Sequence, residues 1–183
     1  ANAEQDRVPL IVLTGCVDAA DAVTYNHQVF DHRAVFGPIT KASFTVPAGS
    51  VAAMNDKAIS IAMEGRPGPV HLDVPIAIAA QVHEGSLPTP RPPRAAVAPA
   101  EGVDLETARR WLAEAERPLV IAGIDAVVQN AGEAISDFAR AFGAPVIASY
   151  KAKGLIADDE PMSMGGAGLS PLADKELMPL IKS

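Results

Sequence analysis

The chain has 183 residues, of which 49% are hydrophobic and 20% are charged. This composition predicts a globular protein with a substantial core, arranged as one large domain or two small ones. The formal net charge of −7 argues against nonspecific binding to nucleic acid or to an anionic membrane. No apolar run approaches the roughly 20 residues that cross a bilayer. The single cysteine excludes an internal disulfide. With no signal-peptide pattern at the start, we expect a cytoplasmic location.

The first half of the sequence alternates strand and helix patterns. An apolar run at 9–15, ending in glycine, predicts a strand buried on both faces of a parallel sheet. Residues 16–46 show no clear period and are interpreted as a long polar loop, which in a compact domain is usually functional. Residues 47–64 predict a helix. Its apolar face is formed by Val51, Met54, Ala58, Ile61 and Ala62.

The glycines and prolines of 65–75 predict a tight turn followed by a short strand. Apolar residues at 70, 72 and 74 alternate in this strand with His71 and Asp73, which is the period of a β-strand. A helix that leads so directly into a strand is typical of a layered α/β sheet.

Residues 84–103 contain five prolines and two glycines and predict a stiff, extended linker. We therefore expect one domain at 1–83 and a second at 104–183. The second half shows strand patterns at 118–123 and 145–149.

Three helices accompany these strands. The first is expected to be capped by Asp104, the second to be capped by Asn130 and to end at Gly143, and the last to cover 172–181. The second should turn Ile135, Phe138 and Phe142 inward. Parallel strands joined by helices predict an α/β, doubly wound, Rossmann-like fold. We expect it to be incomplete at both ends, since no strand follows the final helix.

Several residues suggest chemistry when taken alone. His27 and His32 flank Asp31, but this spacing without a second pair favours hydrogen-bonding or solvent-exposed roles over a metal site. His71 is expected to pack at a sheet face. Cys16 follows a strand end, where nucleophiles often lie, yet the sequence shows no base to activate it.

Two glycine-containing segments could approach a ligand. The segment 123–126 has the position of a phosphate-binding turn, but its spacing is not G-x-G-x-x-G and Asp125 would repel an anion. An ordinary turn is the alternative. The segment 164–168 is interpreted as a surface loop that could also admit a ligand. Lys41, Lys151 and Lys153 could bind anions, although solvated lysines are the default.

Six motifs in order resemble one family over nearly the whole chain. They are the opening A-N-A to glycine segment at 1–15, H-Q-V-F-D at 27–31 (F-Q-E-x-D in the family), F-G-P-I-T-K at 36–41, the segment 65–75, R-P-L-V-I-A-G at 117–123, and 144–168 with A-P-V, K-G and P-M-S-M-G-x-x-G. The family is the thiamine-diphosphate-dependent 2-oxo-acid enzymes. It includes acetolactate synthases, pyruvate oxidases, benzoylformate decarboxylases and oxalyl-CoA decarboxylases.

The resemblance implies a parent enzyme that decarboxylates or carboligates 2-oxo acids with thiamine diphosphate and Mg2+, as a homodimer or homotetramer. The chain would correspond to the second half of the pyrimidine-binding domain, the linker, and part of the central domain. The family's activating glutamate would lie upstream, and its G-D-G…N motif for metal and diphosphate would lie downstream. The segment itself is therefore expected to be inactive, to hold no metal or cofactor, and to self-associate through exposed apolar edges.

The resemblance also suggests site residues. Gln28 and Lys41 match family positions that line the channel to cofactor and substrate. The central domain binds FAD or ADP in some relatives, which is not favoured here because Asp125 replaces a family glycine. If a nucleotide binds, the candidate residues are Gly123, Lys151, Lys153, Gly154, Gly165 and Gly168. The alternatives to an enzyme segment are a noncatalytic nucleotide-binding module and a structural oligomerisation domain.

Overall fold

The computed structural model of the chain describes residues 1–27, 29–82 and 98–182. The chain divides into two compact units, Ala1–Pro93 and Arg94–Ser183, here called unit 1 and unit 2. Each unit contains a three-stranded parallel sheet with helices, which confirms the predicted α/β, Rossmann-like class. Most of the predicted linker lies outside the described residues. In the described part of the chain, no helix is both long enough and apolar enough to span a membrane.

The described residues of unit 1 form three strands, four α-helices and one 3-10 turn. In chain order they are α1 (Asn2–Gln5), β1 (Leu10–Cys16), α2 (His32–Phe36), the 3-10 turn Gly37–Ile39, β2 (Ala42–Thr45), α3 (Val51–Met63), β3 (Pro69–Pro75) and α4 (Ile76–Ala79). The strand order is β1-β3-β2, and both neighbours run parallel to β3. The strand and helix patterns at 9–15, 47–64 and 70–74 are thus confirmed. The prediction that the first strand is buried on both faces is wrong: β1 lies at the end of the strand order, and its Leu10 and Leu13 are 44% and 66% exposed.

One face of the central strand β3 forms the hydrophobic core of unit 1. Val70 and Leu72 are buried there against Ala58 and Ala62 of α3. Alanine at these two helix positions allows the helix to approach the sheet closely, and each fully buried large side chain contributes about 1.5–3 kcal/mol. The predicted apolar face of α3 is correct except at Val51, which is 49% exposed in the first helical turn.

The opposite face of β3 is polar. Because side chains alternate along a strand, His71 and Asp73 lie on this face. The short helix α2 contacts it, with the Phe36 ring stacked on the His71 ring at 4.2 Å between centroids. His71 is fully buried, as predicted for a histidine packed at a sheet face.

The interpretation of 16–46 as one long loop is wrong in its second half. This segment contains α2, which Asp31 caps by accepting a hydrogen bond from the backbone N–H of Ala34, and strand β2. Both elements are only four or five residues long. Their stability comes from packing and pairing with β3, which no local period reveals.

Within residues 98–182, unit 2 forms three strands, four α-helices and one 3-10 turn. They are α5 (Val103–Glu114), β4 (Val120–Ala122), α6 (Ile124–Val128), α7 (Gly132–Phe142), β5 (Val146–Ser149), the 3-10 turn Tyr150–Ala152, β6 (Ser163–Ala167) and α8 (Pro171–Lys182). The strands are ordered β4-β5-β6 and are all parallel. Ala122, Ala139, Val146 and Ile156 form the buried core.

Four local predictions in unit 2 were wrong. Gly102, not Asp104, precedes α5, and Ala131, not Asn130, precedes α7. Phe142 is 44% exposed and stacks on Phe138 instead of entering the core. The segment 164–168 is largely strand β6 instead of a surface loop. The glycines of this segment are unfavourable for a strand, so the sequence pattern did not indicate one. The strand forms by pairing with β5, and this pairing contains a register irregularity.

Candidate functional site

The candidate site of unit 1 is a crevice at the carboxyl ends of its three strands. Cys16 ends β1, Thr45 ends β2, and Asp73 lies near the end of β3. The cavity has a volume of about 300 Å³. Open parallel sheets bind ligands in the crevice beyond the carboxyl ends of their strands. The position of this cavity therefore makes it the candidate binding site of unit 1.

Three segments enclose this crevice. The segment after β1 contributes the apolar side chains of Val17, Ala19 and Ala22, and the segment before α2 contributes Val29 and Phe30. Helix α2 contributes His32 and Arg33. Phe30 packs edge-on against His32, with ring centroids 4.2 Å apart. The crevice thus combines apolar walls with a polar floor.

A continuous chain of hydrogen bonds crosses the polar face of the sheet and ends at the crevice. Ser43 Oγ lies 2.7 Å from His71 Nδ1, and His71 Nε2 lies 2.7 Å from Thr14 Oγ1. Thr14 Oγ1 donates to Asp73 Oδ1 at 2.8 Å. His32 Nδ1 lies 2.9 Å from the same carboxylate oxygen. Five side chains from three strands and one helix therefore form one network.

The network shifts the pKa values of its ionisable groups. Burial lowers the pKa of His71 below its ordinary value, which keeps the ring neutral. Burial alone would raise the pKa of Asp73, but hydrogen bonds from His32 and Thr14 outweigh it and lower the pKa. Asp73 is thus an anion at neutral pH.

Cys16 is not an activated nucleophile. Burial, followed by the nearby charge of Asp73, raises the pKa of its thiol to about 11. The thiolate is the reactive form of cysteine, and here it is scarce at neutral pH. This result agrees with the sequence interpretation, which found no base for Cys16.

The described residues offer no metal centre. Among them, no group of three or more histidine, cysteine, aspartate or glutamate side chains is placed to hold a metal ion. His32 is engaged with Asp73 and lies largely buried, whereas His27 is exposed. The two histidines that frame Asp31 in the sequence thus have different environments.

Of the predicted channel residues, Gln28 lies outside the described residues. Lys41 precedes the amino end of β2, whereas the crevice lies at the carboxyl end of this strand. Its Nζ donates hydrogen bonds to the carbonyl oxygen of Ile61 and, at 2.6 Å, to that of Glu64. A lysine at this position satisfies carbonyl groups at the end of α3 and complements the helix dipole. The structure does not bring Lys41 to the crevice.

Three of the predicted nucleotide residues converge in unit 2. Lys153, Gly154 and Gly165 line one narrow pocket, and Lys153 and Gly154 also border a cavity of about 380 Å³. The Lys153 ammonium lies 3.2 Å from the Asp158 carboxylate, so its charge is already partly compensated.

The other three predicted nucleotide residues are not among those lining these two pockets. Gly123 precedes α6, which has only five residues. The Lys151 Nζ lies 5.9 Å from the centre of the Tyr150 ring. The backbone N–H of Gly168 donates to Asp174 at 3.4 Å.

Sequence reasoning missed most of the polar network. Thr14, Ser43 and Asp73 were not singled out as site residues, and His32 was expected to have a hydrogen-bonding or solvent-exposed role without a partner being named. The one available signal was the pair of polar residues at alternate positions of an otherwise apolar strand, because such residues must find partners when the strand is central.

The fold and the crevice define an α/β protein built from two Rossmann-like units, with a candidate binding site at strand ends in the first. Comparison with known proteins gives the family. Residues 105–178 match the family model of the thiamine pyrophosphate enzyme central domain.

Curated relatives align with most of the chain. A probable acetolactate synthase large subunit of Methanocaldococcus jannaschii is 30% identical over 92% of this chain and 30% of its own length. The glyoxylate carboligase of Escherichia coli O157:H7 is 31% identical over 92% of the chain and 28% of its own. The oxalyl-CoA decarboxylase of Escherichia coli K12 is 30% identical over 99% of the chain and 33% of its own.

The resemblance drawn from the motifs of the chain is therefore confirmed: unit 2 contains a match to the central domain of the thiamine pyrophosphate enzymes, and the three relatives align with most of the chain. The chain spans about 30% of the length of these relatives.

Proposed function

We propose that the chain forms part of a thiamine-diphosphate-dependent enzyme that decarboxylates or carboligates 2-oxo acids. The main support is similarity that runs through both units to a probable acetolactate synthase, a carboligase and a decarboxylase. The reactions in these names form or break a carbon–carbon bond beside a carbonyl. Thiamine diphosphate supplies the electron sink for such a step.

The crevice of unit 1 fits one end of this cofactor. Its volume of about 300 Å³ accommodates a single heteroaromatic ring. Val29 and Phe30 provide apolar surface for the ring, and the floor with His32 and Asp73 provides polar groups. In this proposal the chain positions the ring and excludes water from it.

Magnesium and the diphosphate are assigned to another part of the parent enzyme. The family motif G-D-G…N does not occur in the sequence. The proposal accordingly treats residues 1–83 as part of a pyrimidine-binding domain, 84–103 as a linker and 104–183 as part of the central domain. A cytoplasmic homo-oligomer is the proposed form of the parent enzyme.

Two experiments test this assignment. Sequencing of the genomic DNA on both sides of the coding segment should reveal an upstream glutamate motif and a downstream G-D-G…N motif in the same reading frame. Absence of both from the full reading frame would overturn the assignment. Calorimetric titration of the 183-residue chain with thiamine diphosphate and Mg2+ should show no saturable heat, because the diphosphate site is missing. Saturable micromolar binding would contradict the proposed inactivity of the segment.

A nucleotide-binding role for unit 2 is the second candidate. The convergence of Lys153, Gly154 and Gly165 on one pocket favours it. Against it stands the Asp158 carboxylate beside Lys153, which competes with any phosphate. Thermal-shift titrations with ADP and with FAD decide the matter: a saturable stabilisation that Lys153→Met abolishes would support this role, and no shift with either ligand would exclude it.

A further inference from the structure

The protons of the polar network can be assigned from hydrogen-bond valence. The Thr14 hydroxyl has one proton, and Asp73 is an anion that can only accept, so this proton lies between them. Thr14 Oγ1 must then accept from His71 Nε2–H. His71 is neutral, so its Nδ1 is an acceptor and takes the hydroxyl proton of Ser43. Each donor in this series points toward Asp73.

Hydrogen-bond valence also determines which nitrogen of the His32 ring carries the proton. Its Nδ1 contacts Asp73 Oδ1 at 2.9 Å, so Nδ1 carries a proton and donates it to the carboxylate. In the neutral ring the second nitrogen, Nε2, is then an acceptor. Among the described residues, Asp73 is the one hydrogen-bond partner found for His32. The side chain is 11% exposed and lines the crevice.

We propose that His32 is the recognition residue of the crevice, accepting through Nε2 a hydrogen bond from a hydroxyl or amine group of a small aromatic ligand. Of the five side chains of the network, His32 is the one assigned to contact the ligand. Asp73 orients the ring and selects its tautomer, and Thr14 and His71 hold Asp73 in place. Asp73 is thus a positioning residue, and His32 is a binding residue.

The surroundings of His32 restrict the rest of the ligand. Phe30 contacts the His32 ring, and Val17, Ala22 and Val29 complete an apolar wall. Such a wall favours a flat, uncharged ring. A ligand that places a hydrogen-bond acceptor opposite Nε2 would bring two lone pairs together, which is repulsive. The site therefore binds a ligand with a donor in preference to one of equal size with an acceptor.

Phenol and toluene form a matched pair of probes, because they have similar shape and differ in one hydroxyl donor. Neither resembles the proposed cofactor beyond a single ring. The inference on His32 and the proposed function of the parent enzyme can therefore fail separately.

The experiment follows histidine ring signals of the 13C-labelled chain by NMR during titration with each probe. Phenol should bind about three- to tenfold more tightly than toluene, the ratio expected for one hydrogen bond. His32→Asn keeps a donor near the position of Nδ1 but lacks Nε2, so the ratio should fall to about one. His27→Asn is the matched control, since His27 does not line the crevice, and should leave the ratio unchanged.

Three outcomes would overturn the proposal: equal binding of the two probes to the unmodified chain, no saturable binding of phenol, or a ratio that His32→Asn leaves unchanged. The tautomer provides a check that needs no variant. Long-range 1H–15N spectra should show the proton on Nδ1. They are recorded at a pH high enough that the His32 signals no longer change, so that the ring is neutral. A proton on Nε2 would refute the inference even if His32→Asn does not fold.

Discussion

Replacement of Thr14 by valine should destabilise unit 1 strongly, although the two side chains have nearly the same shape. The hydroxyl of Thr14 joins His71 to Asp73 through bonds of 2.7 and 2.8 Å. Valine removes the donor to the Asp73 carboxylate and leaves the N–H of the fully buried His71 without its acceptor. The variant therefore disturbs two buried polar groups at once.

The magnitude follows from these two losses. A hydrogen bond to a charged group contributes about 1.5–3 kcal/mol, and a buried donor left without a partner costs about 1–3 kcal/mol. The two effects share one network and do not add fully. We expect the free energy of unfolding of unit 1 to fall by about 3 kcal/mol. Thr24→Val is the control: the exposed Thr24 hydroxyl donates to the Asp21 carbonyl oxygen at 3.2 Å, and its loss should cost less than about 1 kcal/mol.

Hydrogen exchange measured by mass spectrometry is the suitable assay, because a chain with two units need not unfold in a single step. Amides of β1 and β3 should exchange faster in Thr14→Val by the factor that corresponds to this free energy. The fluorescence of Trp111, the single tryptophan, reports on unit 2 and should show an unchanged unfolding transition. If Thr14→Val and Thr24→Val cost the same, or if Thr14→Val costs less than about 1 kcal/mol, the assigned network is wrong.

Three further predictions concern single residues. Gly132→Ala should destabilise unit 2 by about 2 kcal/mol or more, because the new Cβ would lie 2.3 Å from the backbone oxygen of Leu155. Gly123→Ala is the control, since its Cβ would meet no atom within 4 Å and should have little effect. The melting temperatures of the two variants are compared, and equal shifts would contradict the prediction. Acidification should destabilise unit 1, because the folded-state pKa values of His71 and Asp73 lie below their ordinary 6.5 and 3.8, so the contribution of His71 is lost as the pH falls below 6.5 and that of Asp73 below 3.8. The intrinsic exchange of amides is itself slower at low pH, so the measurement compares protection factors of β3 amides, which are corrected for that intrinsic rate; larger protection factors at pH 5 than at pH 8 would refute the prediction. Cys16 should react with a thiol reagent at pH 8 at least about tenfold more slowly than free cysteine, and Asp73→Asn should accelerate the reaction; a rate equal to that of free cysteine would contradict the raised pKa of about 11.

The elements recognised in advance are those with strong local signals. Strand β3 was predicted because Gly65 and the surrounding prolines delimit it and because its side chains alternate clearly. Helix α7 ends at Gly143 in the left-handed conformation, as its glycine predicted. Both signals involve residues only a few positions apart, so they can be recognised in the sequence without knowledge of the fold.

The elements that were missed depend on partners far away in the chain. Strand β2 exists because it pairs with β3, and β6, rich in glycine, exists because it pairs with β5. The cap predictions at Asp104 and Asn130 failed by a residue or two, which is the range over which the ends of helices are commonly uncertain.

The amino-acid sequence alone was sufficient to predict the α/β class, the buried position of His71 and the family. These predictions rest on alternating side chains, on glycine and proline at the ends of elements, and on motifs in a fixed order, all of which are properties of the chain itself. The sequence was not sufficient for the candidate site. Thr14 and His71 are 57 residues apart in sequence, Ser43 and His71 are 28 apart, and His32 and Asp73 are 41 apart. Parallel pairing of β1 and β2 with β3 brings these side chains to one face of the sheet. The direction of each hydrogen bond, and with it the role inferred for His32, depends on burial and on which partner a group meets, and both arise only when the sheet has formed.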